Sequence, residues 1–185
     1  MTPTRQPQFL QRWSAQLLLL GVLCLIVPLV HSADATPKKV ELSSFELADQ
    51  FGTSHRYEFP RQKPLVLLVG DRKGSEDIDG WITPLKQHFS ATADIAGIAD
   101  VRGVPRFLRD RITAAIKKSR PVAVMLDYEG TVTDLLPCER KVANVFVFSP
   151  RGTLIEAVSG SVDDGRLATL RRAIEAKPPT GTAEK

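Results

Sequence analysis

The 185-residue chain is short of the side chains that carry most enzyme chemistry. It has two cysteines, Cys24 and Cys138, and none between them. Cys24 lies in an apolar N-terminal stretch, so the body of the chain keeps a single thiol and cannot form an internal disulfide. Histidine is also scarce. Only His55 and His88 lie beyond residue 35, and neither sits in a context resembling a catalytic triad. No apolar run reaches the ~20 residues that a membrane-spanning helix prefers. The formal net charge is +4, too mild and too dispersed for a nucleic-acid partner, which calls for concentrated phosphate-neutralising charge. Internal repeats are absent, and the residues point to no metal and no cofactor.

Residues 1–35 read as a leader. MTPTRQPQFLQRWS carries Arg5 and Arg12 and no acid, and Ala15 to Val30 is apolar apart from Gln16. His31 and Ser32 then lead to Ala33-Asp34-Ala35, a small-x-small site. That is the layout of a secretory signal peptide cleaved after Ala35. The expected location is therefore periplasmic or extracellular. The alternative is an uncleaved N-terminal anchor, in which case the leader would be the only membrane contact. Against it, the apolar core is short and contains Pro28. Cys24 follows Leu23 rather than a small residue and makes a poor lipoprotein attachment site. Cleavage removes Arg5, Arg12 and Asp34 and leaves 23 basic and 20 acidic residues, a net charge of +3. A lone thiol in an oxidising compartment fits either a buried inert cysteine or a free one awaiting a partner.

Lys63 to Phe89 organises the rest. Pro64 to Val69 is an uninterrupted apolar run, as in a strand buried on both faces. A polar turn, Gly70 to Gly74, leads to a segment with Ile78, Trp81, Ile82, Leu85 and Phe89 at spacings that put one apolar stripe on a helix. Trp81 on that stripe is expected in the core. Ser75 suits the N-cap, Glu76 and Asp77 suit the positive end of the helix dipole, and Pro84 predicts a kink near Gly80.

Around this unit, Val40 to Leu47 and Ser54 to Phe59 form a predicted hairpin with Gly52 in the connection. Asp94 to Val101 is a second buried strand. A second helix opens at Pro105, with Leu108, Ile112, Ala115 and Ile116 inward and a basic outer surface between Arg102 and Arg120. That surface is expected to be an ordinary solvated helix face. Val122 to Leu126 is a strand, and Leu135 to Lys141 is a loop. Val145 to Phe148 and Thr153 to Val158 make a hairpin about Pro150-Arg151-Gly152. Ser161 and Asp164 form a capping box before a last helix with Leu167, Leu170 and Ile174 inward. Residues 177–185 read as a disordered tail. The order of strands and helices predicts an α/β protein, a three-layer sandwich with a mixed central sheet and flanking helices, in one domain over residues 36–176.

Five pieces in this order, FELADQFGTSHRYEF, PLVLLVG, the helix proline Pro84, VMLDYEG and ANVFVFSPRGTL, resemble the thioredoxin-like superfamily. The likeness lies with its redoxin branch, peroxiredoxin (AhpC/TSA) or TlpA-like, and covers about residues 38 to 176. It implies a thiol-disulfide oxidoreductase or peroxidase scaffold. The same likeness places the family's active cysteines at Gly74 to Asp77, or at Glu76 to Asp79 when counted back from Pro84, and neither window has a cysteine. Where the family carries a cis-proline, this chain has Ala143, for which a trans peptide is expected because a non-proline cis bond costs ~3 kcal/mol.

Two readings follow. In the first, the chain is an exported thioredoxin-fold protein with a degenerate redox site. It acts as a non-enzymatic binding or scaffold module that holds an exported protein or small ligand at Asp71, Ser75, Glu76, Asp77, Asp79 and Ala143. In the second, it is a thiol-dependent oxidoreductase or peroxidase with Cys138 as its catalytic residue, helped toward thiolate by Arg140 and Lys141. The acids of Asp71 to Asp79 match no calcium-loop spacing, and acids in a first helical turn are ordinary capping chemistry.

Overall fold

The computed structural model of the protein describes residues 40–176, so the leader and the tail lie outside the described residues. The elements run β1 (Phe45–Ala48), β2 (Ser54–Tyr57), β3 (Leu65–Gly70), α1 (Ser75–Phe89), β4 (Asp94–Asp100), α2 (Arg109–Ser119), β5 (Met125–Asp127), β6 (Asn144–Phe148), β7 (Leu154–Ser159) and α3 (Asp164–Glu175). β1 and β2 pair with each other. The other five strands form one sheet in the order β5-β4-β3-β6-β7. β4 is parallel to β3 and β5, whereas β6 is antiparallel to β3 and β7. The mixed α/β sheet expected from the element order is present.

β3 is the central strand, and every one of its residues is buried. Its alternation divides the core. Leu65, Leu67 and Val69 pack with Ile98, Phe146, Phe148 and the hairpin residues Phe45 and Leu47. Val66 and Leu68 face the opposite way, onto Ile78, Trp81, Leu85 and Phe89 of α1 and Leu170 and Ile174 of α3. α1 and α3 therefore cover one face of the sheet. On the other, the β1–β2 hairpin joins Val132 and Leu136, from the segment after β5, to close the core. α1 runs unbroken through Pro84. The stripe read from its 3–4 spacing is the buried one, and Trp81 is fully buried with its indole N–H donating to the Gly160 carbonyl at 2.9 Å.

Several boundaries differ from expectation, each for a visible reason. The first strand is Phe45–Ala48 rather than Val40 to Leu47. Residues 40–42 instead pair with the turn before β7, where the Leu42 N–H donates to Gly152 and the Leu154 N–H to Val40. The strand expected from Val122 begins only at Met125. Upstream of it, the buried Gln50 side chain donates to the Arg120 and Val122 carbonyls and accepts from the Val124 N–H, replacing ladder bonds. The second helix is preceded by a 3-10 turn, Arg106–Leu108, and no residue of α2 is fully buried. At α3 the cap is Asp163, which accepts from the Arg166 N–H, while the Ser161 hydroxyl turns away to donate to Asp77.

Replacing Trp81 with alanine is expected to cost ~3–5 kcal/mol of stability in urea unfolding, the range for deleting a fully buried aromatic. Trp81→Phe is expected to lose less, because it leaves the Gly160 carbonyl unpaired but keeps most of the packing.

Candidate functional site

The site is built where β3 ends and α1 begins. Gly70 closes the strand, and the chain turns at Asp71 to Gly74 before the helix. The Asp71 carboxylate holds this turn. One oxygen accepts from the Lys73 and Gly74 N–H groups, at 3.1 and 2.8 Å, and the other accepts from the Lys141 N–H at 2.9 Å. One side chain thus ties two segments that lie 70 residues apart. Partial burial works against its ionisation, but the three N–H donors outweigh that and hold the carboxyl below its ordinary value. Ser75, expected as the N-cap, is instead the first residue of the helix, with Gly74 before it. The Ser75 hydroxyl donates back to the Arg72 carbonyl at 2.8 Å, and the turn's N–H groups are already taken by Asp71.

Gly74 fits because it has no side chain. A Cβ there would run into the Val142 carbonyl, so the helix start and the loop before β6 are in backbone contact. That loop is organised by Asn144, a buried amide at the head of β6. Its Nδ2 donates to the Glu139 and Val142 carbonyls, at 2.9 and 3.1 Å, and its Oδ1 accepts from the Glu139 N–H and the Ser159 hydroxyl, at 2.8 and 3.0 Å. Lys141 occupies the left-handed region at φ 67°, and its N–H is the one Asp71 holds. Ala143 is fully buried, and its carbonyl accepts from the Gly160 N–H. The peptide before Ala143 is trans; among the described residues the one cis bond is Phe59–Pro60.

The acids read together in the sequence are dispersed by their partners. Asp77 accepts from Ser161, and Asp79 pairs with Arg120 at 2.6 Å, while a second Arg120 nitrogen donates to the Ser75 carbonyl. Glu76 points into solvent. Among the described residues no group of three or more His, Cys, Asp or Glu side chains is placed to hold a metal ion. Asp71, Ser75, Glu76, Asp79 and Cys138 line one cavity of about 1530 Å³, whereas Asp77 and Ala143 do not.

Cys138 is half-buried against the hairpin side of the core. Burial pushes its thiol up to about 11, and Asp100 adds to this, while Arg102 works in the opposite direction. Arg102 is itself committed, paired to Asp100 and to Asp134. Arg140 and Lys141, the residues expected to favour thiolate, are exposed. Sequence reasoning missed Asn144, Gly74, Arg120 and Gln50. For Asn144 there was a signal, since it is a lone amide directly before an apolar strand.

The fold is thioredoxin-like. The structure matches an exposed lipoprotein thioredoxin from Streptococcus pneumoniae with a TM-score of 0.55 at 14% identity, over 70% of this chain and 99% of that one. It matches the DsbE thiol:disulfide interchange protein from Chlorobium tepidum with a TM-score of 0.55 at 12% identity, over 74% of this chain and 94% of that one. StoA from Bacillus subtilis gives 0.51 at 11% identity, over 72% and 97%. No family model matches the sequence, and no curated protein matches it. At these identities the likeness is one of fold.

Asp71 generates a pH test. Its folded pKa lies below the unfolded one, so its contribution to stability is complete above the ordinary value of 3.8 and is lost as pH falls below it. Urea midpoints measured from pH 7 down to pH 2 are expected to fall less steeply for Asp71→Asn than for the wild type. At pH 7 the variant is expected to be less stable by ~1–2 kcal/mol.

Proposed function

We propose that this protein is an exported thioredoxin-fold module that binds a ligand or partner at the remodelled redox face and performs no thiol chemistry there. The observation that carries this reading is the chemistry of the α1 start. The stretch where the family resemblance puts the attacking thiol holds Gly74, Ser75, Glu76 and Asp77, and its backbone is already engaged by Asp71 and pressed onto Val142. The cavity beside it gives the binding role a physical place. Export rests on the leader layout, and the pneumococcal structural neighbour is named an exposed lipoprotein. Among the described residues no helix is long and apolar enough to cross a membrane.

The second reading, a peroxidase or oxidoreductase working through Cys138, requires thiolate near neutral pH. A thiol raised to about 11 supplies almost none, and among the described residues there is no second cysteine.

Both readings meet in one set of assays. The purified protein is expected to neither reduce insulin disulfides nor consume peroxide above background, with Cys138→Ser indistinguishable from wild type. Turnover abolished by Cys138→Ser would reverse the assignment. Separately, iodoacetamide alkylation of Cys138 is expected to be slow at pH 7.5 and to accelerate about tenfold per pH unit until pH approaches 11, because only thiolate reacts.

A further inference from the structure

The cavity has a feature that the packing of the fold does not require. It runs from the Asp71 turn along α1 and β4 to the inner side of α2, and its floor is thinly furnished. Gly97 and Ala99 are the smallest β4 residues facing the helices there, beside Ile95, and an added Cβ at Gly97 would make only ordinary contact with Val124. Ile82, Ile95, Ile112 and Ile116 line it and are only partly buried, although each is a large aliphatic on the inward side of its element. α2 is nevertheless fixed at both ends. The Thr113 hydroxyl meets the Tyr128 hydroxyl, Arg109 pairs with Glu129, and Arg120 reaches Asp79. The helix is held in place over an apolar gap. Partly exposed aliphatics forgo ~25 cal/mol for each Å² left wet, so a gap walled by four isoleucines favours an apolar guest.

At the rim of the same cavity the charged side chains without a salt bridge among the described residues are mainly basic, Arg72, Lys73, Lys86 and Arg140 against Glu76 and Glu139. By drawing in the N–H groups of Lys73 and Lys141, Asp71 brings Arg72, Lys73 and Arg140 to one edge of the site, with Lys141 beside them but outside the lining. All four side chains are exposed and form no salt bridge among the described residues. Asp71 itself stays ionised between them, held by its backbone donors, and Glu76 and Glu139 are the unpaired acids nearby in sequence, so the head site lies toward Lys73 and Arg140.

We propose that the cavity is the binding site for an amphiphilic anion, an acyl chain with a carboxylate head, whose tail lies among Ile82, Ile95, Ile112 and Ile116 and whose head is held at Lys73 and Arg140. The inference rests on the non-enzymatic binding reading and names its ligand class. Charge complementarity selects the head, and the aliphatic walls select the tail.

Dodecanoate below its micellar concentration, titrated into the purified protein by calorimetry, tests this directly. Saturable binding is expected. Dodecyltrimethylammonium, with the same tail and the opposite head, is expected to bind at least tenfold more weakly, and acetate not at all. Ile112→Asp puts a carboxylate in the tail site on a helix with no buried residue, so folding survives and dodecanoate binding is expected to be lost. The double variant Lys73→Glu/Arg140→Glu is expected to weaken it tenfold or more. No dodecanoate binding by wild type, equal binding of the cationic amphiphile, or undiminished binding by Ile112→Asp would each overturn the proposal. The redox assays fail independently. If those stay silent and dodecanoate does not bind, the ligand class alone is wrong. If dodecanoate binds and Cys138-dependent turnover appears, the ligand site stands and the non-enzymatic reading falls.

Discussion

The geometry of the site depends on three hydrogen bonds to one carboxylate. Asp71 accepts from Lys73 and Gly74 on its own turn and from Lys141 on the loop before β6. Without that link, two irregular segments would meet only through the Gly74–Val142 backbone contact and the Asn144 amide. A charged acceptor for several N–H groups is stronger than a neutral one, and it substitutes for the N-cap side chain that α1 otherwise lacks. It also keeps Lys141 in a left-handed conformation that a residue with a Cβ seldom adopts unaided. The start of α1 is therefore a closed structural joint.

Buried polar side chains recur as joints elsewhere. Asp49 accepts from the Phe51 and Thr53 N–H groups and meets His55 within the first hairpin. The neighbouring Gln50 holds the chain entering β5. Asp127, fully buried at the end of β5, accepts from the Thr131, Val132 and Thr133 N–H groups and the Thr133 hydroxyl. Each substitutes a side chain for the backbone partners that irregular chain cannot find, as buried polar groups require. The central sheet gives the fold its stability, and these side chains set where its loops go.

This division explains what was legible in advance. The strand β3 and the stripe of α1 follow from apolar periodicity, which is local in sequence, and they are found where that periodicity put them. The joints are not local. Ser75 has the right chemistry for a cap, but Asp71 reaches the free N–H groups first, and its third partner lies 70 residues away. The environment of Cys138 could not be read from its neighbours Arg140 and Lys141. The charges that act on it are Asp100, Arg102 and Asp127, brought there by β4, β5 and the turn after β4. Gly97 gave no sign in the sequence that it would be the floor of a gap, since a glycine within a strand also marks a bulge or a close approach.

α2 is held by polar links at its ends rather than by buried side chains along its length. An element with no fully buried residue loses little by detaching, whereas α1 would have to expose Trp81, Leu85 and Phe89. The links that would have to break are polar and sit at its ends, Arg120 and Gln50 at one and Tyr128 at the other, so opening α2 leaves the sheet beneath it folded. The wall of this hollow that costs least to open is therefore the one made by α2, not the one made by α1.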